Sequence, residues 1–210
     1  MQVLLHPVYF PSVFTFGVIL KQKLIWEVWD NYQKQTYRNR CYIATDQGRH
    51  LLSIPIKHVG GEQGRQLTKD VRLENAYSWQ RQHWRTLQTA YRTSPFFEFY
   101  EDDLAPLYHQ EYTYLLDFNL KTIETICECI GMDMPFEKSV GYVAEPDDVQ
   151  DGRFLVNAKK EIAFEQQEYI QVFSDRHGFV KNLSILDLLF NEGTSSLDYL
   201  ENLTIDLNNA

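Results

Sequence analysis

Apolar and polar positions follow two different rhythms along this chain, and the change of rhythm divides it into elements. Gln2 to Leu5, "QVLL", is a short apolar run that reads as a buried strand. Pro7 closes it, because proline has a fixed φ and no N–H to offer a neighbouring strand. From Ser12 to about Lys21, Val13, Phe16, Gly17 and Leu20 recur at helical spacing, with Pro11 suited to the first turn. Leu24 to Trp29, "LIWEVW", is rich in β-branched and aromatic residues and reads as a second strand. Strand, helix and strand in such quick succession form a βαβ unit with parallel strands. The loops after the two strands, "HPVYFP" and "DNYQKQTYRNR", are therefore predicted at the carboxyl edge of one sheet, where open α/β folds bind ligands.

Cys41 to Thr45 and Leu51 to Ile56 read as a strand pair joined by the turn "DQGR". "HVGGEQGRQL", with three glycines, reads as a mobile surface loop. A helical stripe follows at Trp79, His83, Trp84, Leu87 and Tyr91, and a second at Leu115, Leu116, Asn119, Ile123, Ile126, Cys127 and Ile130, closed by Gly131. Periodicity fades over 136–167, where "AEPDDVQDGR" is acidic and turn-forming, so this stretch reads as a variable excursion. Tyr169 to Phe173 alternates like a strand. "NLSILDLLFNEG" reads as a short amphipathic helix capped by Asn182 or Ser184 and ended by Gly193. The predicted class is α/β: a βαβ start, a mostly parallel central sheet with flanking helices, and a helical C-terminal half. Its 210 residues suit one domain spanning 1–210.

Charge narrows the partners. A formal net charge of -9 argues against nonspecific binding to nucleic acid or anionic membranes, since polyanions recruit basic surfaces. Three cysteines, Cys41, Cys127 and Cys129, are too few for a disulfide framework, and Cys-x-Cys alone is a poor metal signal. A reducing cytoplasmic setting is expected, and His6, Pro7 and Pro11 break the apolar start too soon for a signal peptide or membrane span. The Gly-rich dinucleotide and phosphate loops, the zincin helix and the nucleophile elbow are all missing, so no cofactor or metal is assigned.

Within this acidic chain, "KQTYRNR" concentrates positive charge at Lys34, Arg38 and Arg40. If extended, it points Arg38 and Arg40 to one face with Asn39 opposite, and paired guanidinium groups suit phosphate or carboxylate. The plainer reading is a solvated edge strand balanced by Glu27 and Asp30. His6 and Tyr9 offer an imidazole and a phenol on the opening loop, fit for proton transfer or for orienting a polar substrate. Against that stands a His that merely supports the turn. Asn119 interrupts an apolar stripe and must find partners, from a ligand or from nearby backbone; His83 reads as a satisfied core group. Glu101, Asp102 and Asp103 read as a charged helix start.

The opening "HPVYFP", the "DNYQKQTYRNR" segment followed by "LLSIPIKH", the helix "WQRQHWRTLQTAYRTSPFFEFY" and "NLSILDLLFNEG" together resemble the WbqC-like family of bacterial proteins. Family members open with His-Gln-Pro-x-Tyr-x-Pro; here His6, Tyr9 and Pro11 persist in shifted spacing. The Lys-x-x-x-Arg-Asn-Arg element falls on Lys34, Arg38, Asn39 and Arg40, and the apolar-Pro-apolar-x-His element on Pro55 and His58. The stretch Gly141 to Gln167 is shorter and more acidic than in the family. The resemblance implies work in bacterial surface-polysaccharide (O-antigen) biosynthesis, with a transferase moving an acyl or aminoacyl group. The implied substrate is a small anionic metabolite such as a nucleotide-linked amino sugar. His6 and Tyr9 would be catalytic; Lys34, Arg38, Asn39, Arg40, His58 and Asn119 would bind the ligand. A nucleotidyl- or adenylate-forming transferase and a noncatalytic binding or scaffold protein stay open as alternatives, as does a homo-oligomer.

Overall fold

Residues 2–57 and 66–208 are described by a computed structural model of the chain. Three short parallel strands form its sheet, with the first strand of the chain at the centre. Strand β1, Gln2–Leu5, pairs along its length with β2, Lys23–Trp26, from Gln2 opposite Lys23 to Leu5 opposite Trp26. Helix α1, Val13–Lys21, makes the crossover. Its cap is Ser12, whose side chain accepts from the Thr15 N–H, and Val13 to Ile19 are all buried, so this helix is core rather than amphipathic cover. The predicted second strand stops at Trp26 instead of running to Trp29. Glu27 turns the chain there: its N–H donates to the Leu5 carbonyl at 2.7 Å, and its own Oε1 accepts from Trp29 N–H. Trp26 has no exposure, and burying a side chain of that kind stabilises by about 1.5–3 kcal/mol or more.

Strand β3, Arg40–Thr45, and strand β4, Gly48–Ser53, form an antiparallel hairpin. The turn is Asp46 and Gln47, and β4 begins three residues before its predicted start because Gly48, at φ +90°, lets the chain reverse at once. Helix α2, Trp79–Tyr91, buries the predicted Trp79, His83, Trp84, Leu87 and Tyr91 face. It is followed by α3, Phe97–Leu104, and α4, Pro106–His109. Glu101 to Asp103 lie in the last turn of α3, not at a helix start as predicted, and Glu101 accepts a hydrogen bond from Gln88. Helix α5, Leu115–Ile130, ends on Gly131 in the left-handed conformation.

The segment read as an excursion supplies β5, Gln150–Asp151, parallel to β1 on its far side. Gly152 makes that pairing close: a Cβ there would meet Leu5 Cδ2 at 2.6 Å and the Leu4 carbonyl oxygen at 3.2 Å. Helix α6, Ser174–His177, comes next. No ladder forms at Tyr169 to Phe173, although the predicted in-out alternation is present. The Gln171 side-chain amide takes the partner's place, donating to the Val180 carbonyl and accepting from its N–H. Buried Asp187 gathers Tyr91, Tyr169 and Gln171 as donors, and its own burial raises its pKa despite them. Asp187 belongs to α7, Ile185–Glu192, capped by Ser184 as predicted, and α8, Ser196–Asn202, closes the helical half. No helix among the described residues is long and apolar enough to cross a membrane.

Candidate functional site

All three parallel strands send their following loop to the same edge of the sheet. His6 follows β1, Glu27 and Asp30 follow β2, and Arg153 follows β5. Because β1 lies between β2 and β5, the chain leaves it to opposite sides, and such a switch point opens a crevice at the carboxyl ends. A cavity of about 480 Å³ occupies it, within the range of ligand pockets.

A buried ionic cluster forms its floor. Arg38 Nη2 donates to Asp30 Oδ2 at 2.7 Å and lies 2.8 Å from His6 Nε2. A guanidinium nitrogen can only donate, so His6 Nε2 is the acceptor and the imidazole carries its proton on Nδ1. Burial lowers the pKa of His6, and the Arg38 charge adds to the effect, against the pull of Asp30. Asp30 is held below the usual carboxylate range: its burial acts upward, but the contact with His6 and the Arg38 charge outweigh it. Arg38 has no exposure, and among the described residues its Nε and Nη1 have no hydrogen-bond partner, nor has His6 Nδ1. Such orphaned buried donors are uncommon and each costs about 1–3 kcal/mol.

Arg153 differs. It donates to Asp151 and to the carbonyls of Val143 and Ala144, with Nη1 4.0 Å from buried Glu27 Oε2, so most of its capacity clamps a loop. Its pKa is raised, chiefly by the bond to Asp151. Lys34, Lys159 and Lys160 line the cavity on the solvent side. Among the described residues, five cationic ones line it beside Asp30, with Glu27 and Asp151 behind Arg153.

The predicted residues divide. His6, Lys34 and Arg38 come together at the cavity. Tyr9 is wholly buried in the core, bonded to His83 Nδ1 at 3.0 Å and to the Tyr108 hydroxyl at 2.8 Å, and burial raises its pKa far above the ordinary value. Residues Tyr37–Asn39 form a 3-10 turn, so Arg38 and Arg40 do not share a strand face; Arg40 opens β3 instead. Both still act on Tyr32, whose hydroxyl burial pushes up and the two cations pull back. Asn39 donates to the Ile54 carbonyl. Asn119 reaches from α5 to the carbonyls of Pro7 and Arg38 and so fastens the two loops that carry His6 and Arg38. The Tyr9 N–H to Tyr37 carbonyl bond does the same, and the first loop ends at Phe10 with φ 40°, a conformation that non-glycine residues seldom adopt. His58 lies outside the described residues. Unforeseen were the lining roles of Asp30, Arg153, Lys159 and Lys160; the readable signal was "QDGR", a strand-sized pair followed by a glycine and a cation inside an acidic turn.

Fold and cavity define a small α/β protein with a cation-rich crevice at the carboxyl edge of a parallel sheet. The chain belongs to the WbqC-like protein family, whose model matches residues 7–161. It is also similar to the uncharacterized protein Rv1507c of Mycobacterium tuberculosis, 28% identical over 200 residues, covering 80% of this chain and 83% of that protein. No solved structure matches it.

Proposed function

We propose that this protein binds a small metabolite through a phosphate or carboxylate group in the crevice between β1 and β5. The supporting observation is the charge of that crevice: among the described residues five cations line it, in a chain of net charge -9. The three lysines draw an anion in, and Arg38 has three N–H groups left to give it. Arg38 lines the cavity but is closed to solvent, so an anion reaches it when the side chains covering it move aside. Once Arg38 turns to the anion, His6 Nε2 is released and can take a proton from a substrate hydroxyl or amine. Asp30, 3.2 Å from Nε2, then stabilises the imidazolium. Family membership extends this reading to acyl or aminoacyl transfer onto a nucleotide-linked amino sugar in surface-polysaccharide biosynthesis.

Titration calorimetry with inorganic pyrophosphate and a panel of nucleotide sugars tests it. Arg38→Gln should abolish binding, and Lys34→Ala with Lys159→Ala, both exposed and harmless to folding, should weaken it by about tenfold or more. Equal affinity in the double variant and the parent protein refutes the assignment.

A further inference from the structure

We infer that the ligand has two parts, and that a neighbouring cavity receives a nucleobase joined to the anion at His6 and Arg38; this rests on the anion reading above. The second cavity, of about 400 Å³, adjoins the first, and residues of the two linings alternate along the chain to make the wall between them. Lys160 lines both cavities. On one side of the wall, Arg38 faces the first cavity and its chain neighbour Tyr37 the second. On the other, Asn157 and Lys159 face the first and Ala158 the second. A phosphate chain laid over the wall at Lys160 thus joins the two spaces.

The second cavity is charged too, with Arg49, Lys160, Lys181 and Glu161 on its lining, but it is richer in aromatic residues than the first. Tyr37, Phe164 and Phe179 present three rings to it, each half-buried. Two of them are held from behind by buried rings, and Tyr37 by neighbours at the surface. Tyr37 stands edge-on to Tyr42 and takes a hydrogen bond from Arg49; Phe164 packs on Phe14 at 4.9 Å; Phe179 packs on Tyr169 at 5.1 Å. Rings held on one side and open on the other, as Phe164 and Phe179 are by the core, are preorganised to cover a flat π-system, and Arg49, stacked on Tyr42 at 3.7 Å, adds a planar cation at the same mouth. Stacking of that kind accepts a base without needing its sequence of donors and acceptors. An anion-binding crevice beside an aromatic slot fits a nucleoside diphosphate better than a free anion or a fatty acyl phosphate.

The full chain is titrated calorimetrically with uridine, cytidine, guanosine and adenosine diphosphates, inorganic pyrophosphate and n-octyl phosphate. At least one nucleotide should bind about tenfold or more tighter than pyrophosphate. Ala158→Trp fills the slot and lines no part of the first cavity; it should erase the nucleotide advantage and leave pyrophosphate affinity unchanged. Tyr37→Leu is the second variant, should the tryptophan disturb folding as judged by thermal unfolding. Nucleotides equal to pyrophosphate, or octyl phosphate tighter than every nucleotide, overturn the base slot while the anion reading survives. An advantage that persists in both variants overturns the slot as well. Binding of nothing in the panel removes both.

Discussion

Arg38 has five N–H groups and commits two, both on Nη2, to Asp30 and His6. That arrangement sets the state of His6, because the imidazole nitrogen facing a guanidinium must be a lone pair. Replacing Arg38 with Gln removes the positive neighbour that lowers the His6 pKa and leaves Asp30, which raises it, in place. The His6 pKa should therefore rise, as read from imidazole C–H shifts against pH; an unchanged titration would contradict the geometry. His83 is a second buried imidazole of different purpose, its pKa lowered to about 4 by burial, with Tyr9 bonded to one nitrogen and a bond to the Ser53 backbone. Its folded pKa is below the unfolded value of 6.5, so protonation favours the unfolded chain. The stability it confers is intact above pH 6.5 and is lost as pH falls toward about 4. In His83→Gln, whose amide does not titrate, that acid loss should shrink by roughly 3 kcal/mol, measured by denaturant unfolding at neutral and acid pH.

At the scale of elements, β5 is two residues long and depends on Gly152 for its approach to β1. Gly152→Val should drive side-chain carbon into Leu5 and Val3 and against the Leu4 carbonyl, at a cost of about 1–3 kcal/mol. The Gly152 N–H bond to Leu4 would also be disturbed, and with it the loop that carries Arg153. The measurable result is a lower denaturation midpoint together with weaker pyrophosphate binding; a loss of stability with binding untouched would show that β5 does not position the cavity. The contrast with β1 and β2 explains what was legible. Those strands announce themselves by apolar runs, since β1 is buried on both faces and β2 buries Leu24 and Trp26 on one face with Ile25 half-buried on the other. Gln150 and Asp151 are polar and short, and they are a strand because β1 has an open edge beside them. The same holds for Tyr169 to Phe173, which has the alternation of a strand but no strand to pair with.

For the whole molecule, we propose that the chain is one folding unit. Asp187 on α7 ties α2 to the segment at Tyr169, Asn119 on α5 ties both site loops together, and α1 packs on α7 and α8. Unfolding followed by near-ultraviolet and far-ultraviolet circular dichroism should then give coincident single transitions; separate transitions for the sheet and the helical half would divide the molecule in two.

Local pattern determined the βαβ opening, the hairpin, the buried faces of the two long helices with Gly131 ending the second, and the placing of His6 and Arg38 at one sheet edge. These depend on periodicity and on residues that start or stop an element, which neighbours in sequence supply. Tertiary structure alone decided which polar groups face the crevice. Tyr9, three residues from His6, turned into the core because Tyr108 and His83 offered its hydroxyl partners there. Arg153, far along the chain and inside an acidic turn, was brought beside Glu27 by an open strand edge. A side chain's direction depends on what lies opposite it in space, and that is written at positions more than a hundred residues away.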